Sequence, residues 1–150
     1  MIRKDWEHHN AVNDFLAARF EGKQSLYVGI DLRHARIVDG QYVYMDRDVA
    51  GSVARRFRNK INQKYYGNSA KRYGKGLTMT FSFHTETHNH LHCVIEIPSN
   101  GSTLKFRSEI EFYCLNDPWI HSMPNISKTV SEKAVQRYNN RQGFDALILF

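Results

Sequence analysis

Every second residue from His84 to His92 carries a side chain able to ligate a metal: His84-Thr85-Glu86-Thr87-His88-Asn89-His90-Leu91-His92. The run continues without a break into the apolar Cys93-Val94-Ile95-Glu96-Ile97. Side chains alternate across a β-strand with period two, so an extended segment here places His90 and His92 on one face and Leu91, Cys93 and Ile95 on the other. Four of the chain's eight histidines fall in these nine residues. Two imidazoles on one face make half of a metal site. The plain alternative is a polar, solvated strand face.

Parity constrains the other ligands. If the chain turns over before His90, residues directly opposite in an antiparallel pair share a face. An odd-length loop such as Thr87 to Asn89 sets Glu86 against His90 and His84 against His92, giving a cluster of His90, His92 and Glu86 or His84. An even loop places Thr85 and Thr87 opposite the pair and puts Glu86 on the wrong side. Loop length decides between them, and the sequence leaves it open.

At 150 residues the chain is most simply one domain. A formal net charge of +6 and a pI near 9.4 favour a polyanionic partner, because Lys and Arg gain binding free energy by releasing counterions from phosphates. The cations cluster at Arg55, Arg56, Arg58, Lys60 and Lys64, then at Lys71, Arg72 and Lys75, with Tyr65, Tyr66 and Tyr73 among them. Aromatics between cations suit stacked bases as well as phosphates, and an ordinary solvated helix face is the competing reading. Cys93 and Cys114 read as two reduced, packed thiols rather than a disulfide framework. No apolar run is long enough to span a bilayer, and Met1-Ile2-Arg3-Lys4-Asp5-Trp6 lacks the apolar core of a signal peptide. The expectation is a soluble, cytoplasmic protein with no membrane partner.

Hydrophobic spacing predicts a helix over Asp5 to Phe20, a strand from Ser25 to about Val38, an Asp39-Gly40 turn and a short strand from Gln41 to Met45. A basic amphipathic helix follows from Arg47 to about Tyr65, broken at Gly67-Asn68-Ser69. Strands are expected over Gly76 to Glu86 and His90 to Ile97, then a helix capped by Ser102 or Thr103 running to Leu115. Pro118 opens a strand to Ile126, Ser127 caps a helix through Asn140, and Phe144 to Phe150 forms a last strand. This order implies an α+β fold, an antiparallel-rich sheet with helices packed on it.

The strand Leu77-Thr78-Met79-Thr80-Phe81, the strand His90-Leu91-His92-Cys93-Val94 and a downstream helix bearing Tyr138-Asn139-Asn140-Arg141 resemble the rolling-circle replication initiators of the HUH endonuclease superfamily, in their single-tyrosine form. The resemblance runs from the first long strand to the end of the chain, as element order plus two local motifs. It implies a five-stranded antiparallel sheet related to the RNA-recognition-motif topology, with two histidines on the central strand. It also implies a divalent metal held by His90 and His92 with Glu86 or His84 as the third ligand, and Tyr138 as the nucleophile; mixed nitrogen and oxygen ligands suit Mn(II) and tolerate Mg(II). Arg141 stands where the family commonly has Lys. A cation survives there, suited to phosphate stabilisation but not to proton transfer. The implied partners are single-stranded DNA or an origin hairpin, with a helicase and host replication proteins. The chain would then be a nuclease domain, compatible with the N-terminal part of a longer initiator that starts replication or mobilisation of a plasmid, phage or related element.

That chemistry also stands on its own. A phenol with its ordinary pKa near 10 is a weak nucleophile at neutral pH and needs activation and alignment, which a metal at the phosphate supplies. Two other readings compete. His90, His92 and Glu96 match the histidine and glutamate spacing of the cupin metal motif, which needs a mostly β barrel. A non-catalytic DNA-binding domain stabilised by zinc would need four closed ligands.

Overall fold

The computed structural model describes residues 3–129, 131–140 and 147–148. Alternation builds its centre. Strand β1 (Ser25–Asp31), β4 (Met79–His84) and β5 (His90–Glu96) turn Leu26, Val28, Ile30, Met79, Phe81, Phe83, Leu91, Cys93 and Ile95 into one buried cluster. The sheet runs β6-β1-β5-β4-β7 and every pairing in it is antiparallel. Its histidine strand, β5, is central. Two further strands, β2 (Ala35–Val38) and β3 (Gln41–Tyr44), form a separate hairpin.

Helices cover both faces of the sheet. On the apolar face lie α2 (Arg47–Tyr66) and α4 (Thr103–Asn116), whose Phe57, Ile61, Phe106 and Ile110 complete the cluster. Full burial of side chains of this size stabilises by roughly 1.5–3 kcal/mol each. Helix α2 begins where the Asp46 carboxylate accepts from the Val49 amide at 2.8 Å, and it ends at Gly67, whose φ of 54° suits glycine. Ser102 caps α4. A short α3 (Asn68–Tyr73) follows α2. On the opposite, polar face lie α5 (Glu132–Asn139) and, against it, α1 (Arg3–Ala18). Among the described residues no helix is long and apolar enough to cross a membrane. Both thiols are buried and unlinked, and burial pushes Cys114 up to about 12 and Cys93 well above the usual thiol range.

The α+β class and the antiparallel sheet are as expected, whereas its strands are shorter than expected. Four have four to seven residues. The fifth, β7 (Leu147–Ile148), has two, and the rest of the expected Phe144–Phe150 strand lies outside the described residues. The expected strand from Ser25 to Val38 divides after Asp31. There β5 runs out: the Leu32 amide reaches the Asn89 carbonyl at 2.9 Å, and the chain leaves to pair with β3. The expected Pro118–Ile126 strand reduces to one bridge, Leu32 to Ile120, before β6 (Asn125–Lys128). Pro124 has no amide hydrogen for a ladder, so β6 starts just after it. Ser127 therefore sits in β6 opposite Tyr27, and Ser131 caps α5 by accepting from the Ala134 amide at 3.3 Å.

Candidate functional site

The turn between β4 and β5 spans Thr85 to Asn89, an odd length. It sets His84 opposite His90 and Ser82 opposite His92, two residues displaced from the register expected with a shorter turn. The parity is preserved, so His84, His90 and His92 all project from the polar face. One ligand atom from each lies within 4.8 Å of the others. Ring centroids are 4.2 Å apart for His84 and His92, 4.6 Å for His90 and His92, and 5.4 Å for His84 and His90. Glu86 is carried on the exposed turn and does not join this group.

Hydrogen bonds orient each ring. His84 Nε2 donates to the Asn139 carbonyl, which assigns the lone pair of the neutral ring to Nδ1. His90 Nδ1 donates to the His88 carbonyl at 2.8 Å, which assigns its lone pair to Nε2. His92 Nδ1 is bonded to the Tyr27 hydroxyl. Ligating histidines characteristically have their second nitrogen held this way, because the bond fixes tautomer and ring direction. His84 and His92 are buried, with His90 partly open. The donor set of three imidazoles fits a first-row divalent ion better than Mg(II), which takes oxygen ligands.

Tyr138 comes to the same place from α5. Its ring meets that of His92 edge to face at 5.7 Å, and the residue is 54% exposed. Polar bonds seat the helix on the sheet. Gln136 Nε2 donates to Thr80 Oγ1 at 3.0 Å, and Ser82 Oγ donates to Asn140 Oδ1 at 2.8 Å. Asn140 Nδ2 in turn donates to Asn13 Oδ1 on α1 at 2.9 Å. All four α5 and α1 partners of these bonds and of His84 are buried.

No protein family, curated protein or solved structure matches this chain. The site's own geometry therefore carries the functional argument.

The nominated cations do not converge on the histidines. Arg55, Arg56, Arg58, Lys60 and Lys64 lie on α2, which packs on the opposite face of the sheet. Arg56 pairs with the buried Asp117 at 3.3 Å and Lys64 with Glu109 at 3.4 Å, tying α2 to α4. Arg58 lines a cavity at the β4 edge, while Lys71, Arg72 and Lys75 lie on or just after α3. Arg141 lies outside the described residues. Glu96 stands four residues beyond His92, about 13 Å along the strand. Its carboxylate accepts from the Thr78 amide at 2.9 Å and lies 3.8 Å from Lys23 Nζ.

Sequence reasoning missed Tyr27, Asp31, Ser82, Gln136 and Asn140. Asp31 lies opposite His90, and its carboxylate accepts from His88 Nε2 at 2.9 Å. A signal existed for Ser82: Thr80, Ser82 and His84 alternate with Met79, Phe81 and Phe83, marking β4 as polar on the face that the histidines share. Nothing comparable marked Gln136, whose partner is distant in sequence.

Proposed function

We propose that this chain is a metal-dependent nickase and strand transferase of the HUH kind, acting on single-stranded DNA through Tyr138. The observation that carries the reading is an exposed tyrosine in ring contact with one member of a three-histidine group. His84, His90 and His92 would hold the ion, with Mn(II) favoured over Mg(II) by the nitrogen donors. When bound, the ion polarises a phosphate and stabilises the charge that develops on it.

The residues themselves do the rest. Tyr138 Oη attacks phosphorus in line with the leaving 3′-oxygen, so the O–P bond to tyrosine forms as the P–O3′ bond breaks. The phenol proton goes to solvent or base, and the departing oxygen takes up a proton to become a 3′-hydroxyl. The product is a 5′-phosphotyrosine, and attack by a 3′-hydroxyl reverses the step and joins strands. Such chemistry would initiate rolling-circle replication or mobilisation of an element, with an origin hairpin as substrate and a helicase and host replication proteins as partners.

Other tyrosines fit the role less well. The Tyr65 hydroxyl donates to Glu109, and that of Tyr113 donates to Asp117 at 3.2 Å. Burial, together with the adjacent carboxylate, raises both phenols well above their usual range, and both lie on the apolar side of the sheet. The cupin reading asks Glu96 to be a ligand, and that carboxylate is engaged at the far end of β5. A zinc-stabilised domain needs four closed ligands, and the group among the described residues has three.

The test is covalent capture. With Mn(II) and a labelled single-stranded oligonucleotide, the wild type should form a denaturation-resistant adduct, and Tyr138→Phe should form none while keeping its fold. An adduct that persists in Tyr138→Phe removes Tyr138 from the reaction.

A further inference from the structure

The β2–β3 hairpin carries exposed aromatic surface that the core does not use. Its two-residue turn, Asp39-Gly40, has positive φ at both positions, 50° and 79°, which matches the twist of tightly paired strands and makes the hairpin a defined element. Val38 and Val43 face inward and pack on the core. Ile37 and Tyr42 are paired across the outer face, and Tyr44 lies beside them. These three are 61%, 69% and 61% exposed. The rings of Tyr42 and Tyr44 lie 6.2 Å apart and within 25° of parallel, with His34 edge-on to Tyr44 at 5.8 Å.

The hairpin is joined directly to the candidate site. Asp31 stands opposite His90, Leu32 bonds to the Asn89 backbone, and β2 begins at Ala35. Four residues of chain span at most about 14 Å. Cations flank the link. Exposed Arg33 is anchored by its Nε on the Pro118 carbonyl at 3.0 Å, and the Arg36 guanidinium lies 5.3 Å over the Trp119 ring.

We infer that the outer face of the β2–β3 hairpin, through Tyr42 and Tyr44, is a base-stacking platform for the single-stranded DNA whose phosphate is presented to the histidine group. This rests on the nuclease reading above. Near-parallel aromatic rings offered to solvent take unpaired bases, because every base has a π face. Exposed Arg33, on the link to the site, offers a cation to the adjoining phosphates, whereas Arg36 lies with Val43 on the inward face. A duplex hides those faces. Three exposed side chains on two four-residue strands are also far short of the roughly 800 Å² per partner that a stable protein interface buries. The platform supplies what α2 does not: an exposed aromatic surface at the same end of β1 and β5 as the histidines, with Arg33 on the link between them.

The test separates binding from chemistry. Tyr42→Ala and Tyr44→Ala remove exposed rings, so the fold should survive, as thermal melting would verify. In metal-free protein, each should weaken binding of an oligo-dT measured by anisotropy by about tenfold, with Phe at either position restoring it. The salt dependence should keep its slope, since no phosphate contact is lost. In the Mn(II)-loaded protein, the variants should need more DNA for half-maximal adduct formation and reach the wild-type maximal rate. Unchanged affinity in the double alanine variant, with adduct formation intact in the wild type, overturns the platform alone. A tenfold loss of affinity with no adduct in the wild type overturns the nuclease reading and leaves the platform standing. Light scattering that finds a wild-type dimer dissolved by these substitutions, with DNA affinity unchanged, makes the hairpin a self-association face and overturns the platform.

Discussion

His92 sits between two tyrosines that its surroundings treat differently. Tyr27 is partly buried and bonded to Nδ1, whereas Tyr138 is mostly exposed and touches the ring edge on. Gly29 lies opposite His92 on β1, and a Cβ there would come 3.2 Å from the Tyr27 oxygen and 3.4 Å from its ring. Glycine leaves the space into which the Tyr27 ring leans. Under the proposed function, Tyr27 would be a positioning residue that fixes the direction of the His92 ring, and Tyr138 the group a substrate would reach. Tyr27→Phe should therefore weaken Mn(II) binding about 10- to 100-fold by calorimetry while adduct formation returns at saturating metal. Tyr138→Phe should leave Mn(II) affinity unchanged. The opposite pattern, with Tyr27→Phe lacking adduct at any metal concentration, would exchange the two roles.

At the scale of elements, α5 owes its position to polar bonds more than to burial of apolar surface. Asn140 is the hinge of this set, accepting from Ser82 on β4 and donating to Asn13 on α1. Asn140→Ala leaves two buried polar partners unmatched, which should cost about 1–3 kcal/mol of stability in urea unfolding. Amide exchange should accelerate in α5 before it does in β5, because Tyr138 rides on a helix held by those bonds. Equal protection of α5 in variant and wild type would show that the bonds do not seat the helix. Much of β4 and β5 was legible, because period-two alternation states both faces of a strand. Their register was not, since a turn of five residues satisfies the same parity as one of three and only its length chooses the opposing pair. Placing α5 failed for a related reason: Ser127 is a good cap by chemistry, yet β1 offered Ser127 a strand partner, and Ser131 takes the cap instead. The cluster of cations on α2 was legible as charge but not as location. At 3.6 residues per turn, Arg55, Arg56, Arg58, Lys60 and Lys64 do not share one face of the helix, and Arg56 and Lys64 are tied to Asp117 and Glu109.

Across the whole molecule the two faces of one sheet have separate tasks. The apolar face, under α2 and α4, carries the aromatic and aliphatic packing, including Phe57 against Phe81 and Tyr113. The polar face gathers the histidines and Tyr138 under α5 and α1. Because β5 contributes Leu91 and Cys93 to the first and His90 and His92 to the second, the core holds the histidines in place without being built from them. A metal bound by His84, His90 and His92 would link β4 to β5, and through the bond from His84 to Asn139 it would also steady α5. An ion that binds only the folded chain stabilises by mass action, about 2.7 kcal/mol at a hundredfold excess over Kd. For a domain of this size that corresponds to a rise in Tm of roughly 5–10 °C. Scanning calorimetry with Mn(II) at that excess should show the rise, and a chelator should reverse it. His92→Ala should melt at a temperature independent of Mn(II), whatever its own stability, because a ligand is gone while the core face of β5 is intact. A wild-type Tm that does not move with Mn(II), or a rise of equal size in His92→Ala, would mean that these three histidines do not form the binding site.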